Sequence, residues 1–395
     1  MLSPLLPALS PDQLYPASSV YMARTQLQEV RMLGYTNLQL DTATSMLMGL
    51  LNGYASVRHE GCAGTEVIEL FAAAGITVDE QMQIYSNAAE ARRCAEQLVA
   101  RGHKLFWPYP LPAGFYPESA HLVSPDLYRF LNAKQNLGKL VPQEHLAHQQ
   151  CLSHAALASF TSPGPVCLKA GGDAATGWGF AVFPCPDQAA LEAARSWFAE
   201  RRESIPCVLV EQWINVAGSW CVGLAISEAE TRCFGGAEQV FSSACKQSGS
   251  IVDSSQPIPA KVHALAVRIG ERVRTLGFRG IAGLDIGIDR QGRPMLFDPN
   301  FRIASSTAQL LFHPAAALRS GLPISHSLQI TPGGSFADVA RKLRGPIESG
   351  WFIPTRLFNG EKHPLSNGTH IVTGFVMAAD RASAATNTAR IRALF

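Results

Sequence analysis

The stretch Gly283-Leu-Asp285-Ile-Gly287-Ile-Asp289-Arg-Gln-Gly292-Arg-Pro-Met-Leu-Phe-Asp298-Pro-Asn300-Phe-Arg302 decides how this chain folds. Two apolar runs, 281–288 and 294–298, flank the polar connector Asp289-Arg290-Gln291-Gly292-Arg293, a pattern that predicts an antiparallel hairpin. Side chains two apart on a strand share a face, so Asp298 and Asn300 point the same way, with Arg302 following. On the partner strand Asp285 lies between Gly283 and Gly287, which leave room above it, while Leu284, Ile286 and Ile288 turn to the core. Two carboxylates and a carboxamide are the hard oxygen ligands that magnesium takes beside triphosphate oxygens. Arg302 adds a fixed fork for phosphate or an acyl phosphate. Taken singly, Asp289 and Asp298 are explained as well by a place at a strand end. Asp285 is not, because an unpartnered carboxylate in so apolar a strand is costly to bury. The set therefore predicts a metal site at Asp285, Asp298 and Asn300.

Upstream of the hairpin, residues 259–276 form the strongest helix pattern in the chain, with Val262, Leu265, Ala266, Ile269, Val273 and Leu276 on one face and Gly277 as the stop. Before it the sequence is β-rich, with short runs at 166–169, 180–183, 207–211 and 220–226 and a helix over 187–203. Lys169-Ala-Gly171-Gly172-Asp-Ala-Ala-Thr176-Gly177-Trp-Gly179 follows the first run directly. Glycines let backbone N–H groups close over phosphates, and a strand-end lysine neutralises their charge. The spacing is neither GxGxxG nor GxxxxGK, and by itself the segment is equally a plain flexible turn. Glu211-Gln212-Trp213-Ile214 ends an apolar strand, where backbone groups can meet an adenine edge.

The remaining chain is α/β in pattern. Asn87 and Glu90 have capping-box spacing ahead of a helical stripe at Ala91, Cys94, Ala95, Leu98 and Val99. Residues 76–78, 82–85 and 103–107 are strand candidates. Residues 107–117 form a proline- and aromatic-rich crossing, and 126–137 and 143–160 read as helical. Beyond about 325 the tail is punctuated by glycine and proline, with a strand over 370–377 and a short terminal helix.

Composition sets outer bounds. A chain of 395 residues, 47% hydrophobic and 16% charged, fits a compact enzyme of two or three lobes. The net charge of +2 offers no general attraction to nucleic acid or an anionic membrane. No run reaches the roughly 20 apolar residues that span a bilayer, and the start of the chain does not resemble a signal segment. Nine cysteines without a CxxC pair read as free thiols in a reducing, cytoplasmic setting.

Lys134, Lys169, the Glu211–Ile214 strand end and the Asp285…Asp298-x-Asn300-x-Arg302 hairpin, taken in that order, resemble the ATP-grasp superfamily over residues 120–312. The resemblance implies an ATP-grasp fold in which two α+β lobes grip ATP. It implies an N-terminal α/β domain over 1–120, a small lobe with a glycine-rich lid over 121–215, a large lobe over 216–330 and an extension over 331–395 packed on the large lobe. By the same resemblance Lys134 and Lys169 contact the phosphates, Gly171, Gly172, Thr176 and Gly177 belong to the lid, and Glu211, Gln212, Trp213 and Ile214 hold adenine. Asp285, Asp298 and Asn300 bind magnesium (or manganese), Arg302 steadies the acyl phosphate, and Lys246, in the loop before the long helix, is a further cation for the phosphates. Asp298 stands where the family usually has glutamate, and the acidic residue expected near Gly218–Ser219 for the ribose is missing.

The implied reaction activates a carboxylate as an acyl phosphate, which an amine then attacks. Ser305 and Ser306 are placed to line the acceptor pocket. Chain length and general run are similar to ligases that conjugate the auxin indole-3-acetate to lysine, which implies that acid and amine as substrates. A carboxylase, another amide ligase or a nucleotide-binding regulator are the alternatives; the first lacks a biotinyl-lysine AMKM segment. His145, His148 and His154 suggest zinc only weakly, since HExxH is absent. His313 reads as a satisfied histidine, and Trp107, Tyr109, Phe115 and Tyr116 as linker packing.

Overall fold

Two N-terminal strands, Ser19–Met22 and Ala55–His59, are buried along their whole length, the signature of a parallel sheet covered on both faces. In the computed structural model, which describes residues 2–27, 30, 32–112, 114–172, 175–176 and 180–395, they are flanked by Gln81–Tyr85 and Lys104–Phe106 in an all-parallel sheet. The helix Ala88–Ala100 buries Ala91, Ala95 and Leu98 as its stripe predicts. Asn87 accepts from the Glu90 N–H at 3.1 Å, but the Glu90 carboxylate returns to the N–H of Ser86 (2.8 Å), one residue short of a capping box. Residues 76–78 are not a strand. The Asn52 side chain donates to the Thr77 carbonyl (3.0 Å) and accepts from the Asp79 N–H (2.8 Å), and so takes the place of a ladder partner.

The next sheet is antiparallel, ordered Gln149–Leu152, Val208–Gln212, Val166–Ala170, Val182–Cys185. Its first strand corrects the helix expected over 143–160. Cys151 lies opposite Leu209, and Ser153 caps only the short helix His154–Ala158. An exposed edge of Val208–Gln212 needs backbone partners, and that requirement outweighs local helical spacing. The helix over 126–137 is likewise shorter, Pro125–Asn132, because Ala133 is extended; single turns at Lys134–Asn136 and Leu137–Leu140 follow.

The largest sheet has eight strands, ordered Pro294–Asn300, Gly280–Asp289, Val216–Ile226, Thr231–Ser243, Lys246–Asp253, Ile324–Ile330, Ile371–Ala378, Phe352–Phe358. The helix Ala260–Thr275 buries Val262, Leu265, Ala266, Ile269 and Val273 in one core with Leu224, Ile226, Leu284 and Ile286. The tail supplies three of the eight strands. It also shares a core with the N-terminal lobe, in which Phe336, Phe352 and Phe375 join Leu47 and Phe71. Met32–Leu33 pairs in parallel with Ala175–Thr176, which ties the glycine-rich segment to the N-terminal lobe. Among the described residues, no helix is long and apolar enough to cross a membrane.

Candidate active site

The hairpin aligns Asp285 with Asp298 and Gly283 with Asn300, then shifts register so that Ile286 faces Leu296. Phe297 is the extra residue of this bulge, a device that re-aims side chains next to functional sites. Its carbonyl accepts from Lys169 Nζ at 3.1 Å. The flanking glycines do not leave open space, as the sequence suggested. A Cβ on Gly287 would lie 2.7 Å from the Phe297 ring, and one on Gly283 would lie 2.6 Å from the Cβ of Ala304. They allow the segment that carries Arg302 to pack directly on the strand.

The two carboxylates behave differently. Burial and the charge of Asp298 push the Asp285 carboxyl up to about 7, against hydrogen bonds from Cys221 and Gln239 and the charge of Lys134. Burial acts on Asp298 in the same sense but is overcome by Lys134, Lys169 and Arg302, which hold it below the ordinary range. The Lys134 ammonium donates to Asp298 Oδ1. Lys169 pairs with Glu211 at 2.6 Å; burial alone would lower its proton affinity, and Glu211, Cys167 and Asp298 raise it instead. Arg302 is paired with no carboxylate among the described residues.

Asp285, Asp298, Asn300 and Arg302 line a cavity of about 790 Å³, within the range usual for small-molecule sites. Lys134, Lys169, the segment from Glu211 to Ile214, and Ser305 line it as well. Residues that lie as far apart in the sequence as Lys134 and Ser305 thus meet at one cleft.

Other expected site residues fall elsewhere. Gly171 donates its N–H to the Cys207 carbonyl at 2.9 Å, and a Cβ added to it would lie 2.7 Å from the Cys207 sulfur. Gly172 has φ +101°, and a Cβ added there would lie 2.8 Å from the Pro206 ring. Glycine is therefore required at both positions by close approach, and at the second by backbone conformation as well. Neither lines the cavity. Thr176 pairs through its backbone with Leu33, and Gly177 lies outside the described residues. Lys246 is not in a loop ahead of the long helix. It opens the strand Lys246–Asp253 and is exposed, and its neighbours Cys245 and Gln247, not Lys246, line the cavity. The region around it is polar and rich in serine and glycine, without the alternation that announces a strand. Ser306 is buried at the start of the helix Thr307–Ser320 and does not line the cavity.

Three of the histidines, His145, His154 and His313, have structural partners. His145 bonds to the Pro294 carbonyl at 2.8 Å and His154 to that of Ile205 at 2.6 Å. His313 lies buried between Ser254 (2.7 Å) and Ser325 (2.8 Å). Trp107 and Tyr109 are buried in the N-terminal core, with Trp107 stacked on Tyr116. The sequence reading missed Gln239, Cys221 and Arg356, all of which line the cavity. They lie on strands with no motif of their own.

A small antiparallel lobe facing a larger sheet, with an acidic hairpin and two lysines turned into the cleft between them, is the ATP-grasp architecture. Solved structures share it across nearly the whole chain. An ADP complex of N5-carboxyaminoimidazole ribonucleotide synthetase has a TM-score of 0.60 at 13% identity, covering 96% of this chain and 98% of that one. Biotin carboxylase from Campylobacter jejuni gives 0.55 at 12% over 94% and 89%, and L-amino acid ligase from Bacillus licheniformis gives 0.52 at 12% over 95% and 96%. These likenesses concern the fold. Residues 10–129 match the L-aspartate–L-methionine ligase N-terminal domain, and residues 144–300 match the ATP-grasp domain of L-aspartate–L-methionine ligase. The chain belongs to the ATP-grasp carboxylate–amine ligases, enzymes that form C–N bonds.

Proposed function

We propose that this enzyme uses ATP and magnesium to activate the carboxylate of one amino acid and joins it to the amine of another. L-Aspartate and L-methionine are the first pair to test. The observation that carries the reading is the facing pair Asp285 and Asp298, set with Asn300 in the cavity that also holds Lys134, Lys169 and Arg302. Both matching family models bear the name of a ligase for two amino acids, which favours an amino acid over indole-3-acetate as the acid.

Two half-buried carboxylates side by side are poorly matched to each other and well matched to a divalent cation. With Asn300 they give the oxygen donor set that magnesium takes. Bound magnesium would neutralise charge on the β- and γ-phosphates. Lys134 and Lys169 neutralise the remaining phosphate oxygens, and the segment from Glu211 to Ile214 offers backbone groups to the adenine edge. Arg302 holds the acid so that a carboxylate oxygen attacks the γ-phosphorus and ADP leaves. The amine nitrogen then attacks the acyl carbon, and inorganic phosphate leaves as the amide forms. The chain supplies position and charge, with no covalent enzyme intermediate. All nine cysteines are free, which agrees with a reducing, cytoplasmic setting.

The test is release of ADP and phosphate with magnesium, ATP and a panel of acids and amines that includes aspartate with methionine and indole-3-acetate with lysine. Release that requires both an acid and an amine supports the reading. Nucleotide binding without release for any pair would sink it.

A further inference from the structure

Three arginines are buried among the described residues: Arg24, Arg58 and Arg356, with exposures of 5%, 0% and 8%. Two have carboxylate partners, Arg24 with Asp41 at 2.7 Å and Arg58 with Glu80 at 2.6 Å. Arg356 has none among the described residues. Its Nε donates to the Thr42 carbonyl (3.1 Å) and to Ser45 Oγ (2.9 Å), which fixes the plane of the guanidinium against the N-terminal lobe. No described protein group accepts from either terminal nitrogen. Burial pulls its proton affinity down, and among the described residues no carboxylate restores it.

A buried guanidinium without a counter-charge is costly, and this one lines the same cavity as Asp285, Asp298 and Arg302. It does not belong to the metal end. Phe352–Phe358, which carries it, is the edge strand of the eight-stranded sheet opposite Pro294–Asn300, which carries Asp298. On the N-terminal-lobe side the cavity wall is apolar at Ala43, Met46 and Leu47, whereas on the sheet side Thr355, Thr373 and Gln329 line it beside Arg356. A planar fork beside an apolar wall suits a carboxylate attached to an apolar side chain.

We infer that Arg356 binds the free α-carboxylate of the amino acid that supplies the amine, and that Ala43, Met46 and Leu47 receive its apolar side chain. The inference rests on the amino-acid ligase reading above. It separates the two substrates, with the acid to be activated held at Arg302 beside the metal and the amine anchored by its own carboxylate at Arg356. The product then carries one free carboxylate at the Arg356 end, and the new amide lies between the two arginines.

The experiment offers the wild type, Arg356→Gln and Arg356→Lys each amino acid as the free acid and as its carboxamide, with the activated acid held constant. The wild type is expected to favour the free acid by roughly 10- to 100-fold in kcat/KM, as a charge-assisted pair provides. In Arg356→Gln that preference falls to within about threefold through a raised KM for the amine, while the KM for ATP is unchanged. Arg356→Lys, which keeps the charge and loses the fork, falls between the two. Equal use of acid and carboxamide by the wild type overturns the inference, as does a preference that survives in Arg356→Gln. If Arg356→Gln fails to fold, the wild-type preference and its reduction in Arg356→Lys decide the matter. Absence of phosphate release for every acid and amine is a different result, and removes the ligase reading itself.

Discussion

Asp285 and Asp298 are direct register partners across the last hairpin, and among the described residues only the second is hydrogen-bonded by a lysine, Lys134. Asp298→Ala removes one of the proposed metal ligands and at the same time relieves the like charge beside Asp285. Phosphate release is expected to fall below roughly 1% of wild type, and the melting temperature to drop as well, because the buried Lys134 loses its carboxylate partner. Turnover near the wild-type level in a folded variant would mean that the metal sits elsewhere.

Magnesium affinity is expected to depend on pH through Asp285. With burial and Asp298 pushing its carboxyl up to about 7, the metal-free enzyme carries a proton there below that pH, and a protonated carboxyl is a poor ligand. Affinity is therefore full above pH 7 and lost as pH falls, by about tenfold per unit. Asp298, held low by Lys134, Lys169 and Arg302, stays ionised over the same range. Magnesium titrations between pH 5.5 and 8.5 measure the slope, and a flat profile would contradict the assignment.

Lys169 and Glu211 form a buried pair whose members depend on each other in the nucleotide-free enzyme. Lys169→Met leaves Glu211 without a counter-charge and is expected to cost about 3–5 kcal/mol. The double variant Lys169→Met/Glu211→Gln should recover much of that loss in a thermal melt, since both charges are then gone. Nucleotide affinity is expected to fall in both. If the two substitutions are additive in stability, the pair contributes nothing as a pair.

Gly283→Val tests the close contact between the hairpin and the segment beyond it. Its Cβ would meet the Cβ of Ala304 at 2.6 Å and the sulfur of Cys221 at 3.1 Å, so the segment carrying Arg302 has to move. A stability loss of about 1–3 kcal/mol is expected, with a larger fall in kcat/KM than in nucleotide affinity. Wild-type kinetics in this variant would show that Arg302 does not depend on that packing.

The elements that could be read in advance are those whose pattern is local. Period-two alternation in 281–300 gives the hairpin, and the structure adds only the bulge at Phe297. The stripe from Val262 to Val273 gives the long helix. Residues 149–152 carry no such signal and became a strand because Val208–Gln212 needed an edge partner. Thr231–Ser243 and Lys246–Asp253 are too polar and too rich in small residues to alternate, and this is why Lys246 was expected in a loop.

Local sequence was enough to set the chemistry of the last hairpin: two carboxylates and a carboxamide on paired strands, with an arginine just beyond the strand end. Tertiary structure alone decided what faces them. Lys134 reaches Asp298 across 164 residues, and Lys169 reaches the carbonyl of Phe297 across 128. The tail returns to the same sheet, where it leaves Arg356 buried, open to the cavity and without a carboxylate partner among the described residues. Alternation along a strand fixes the face on which a side chain stands. It carries no information about which distant strand pairs beside it, or which charges burial will leave for a substrate to satisfy.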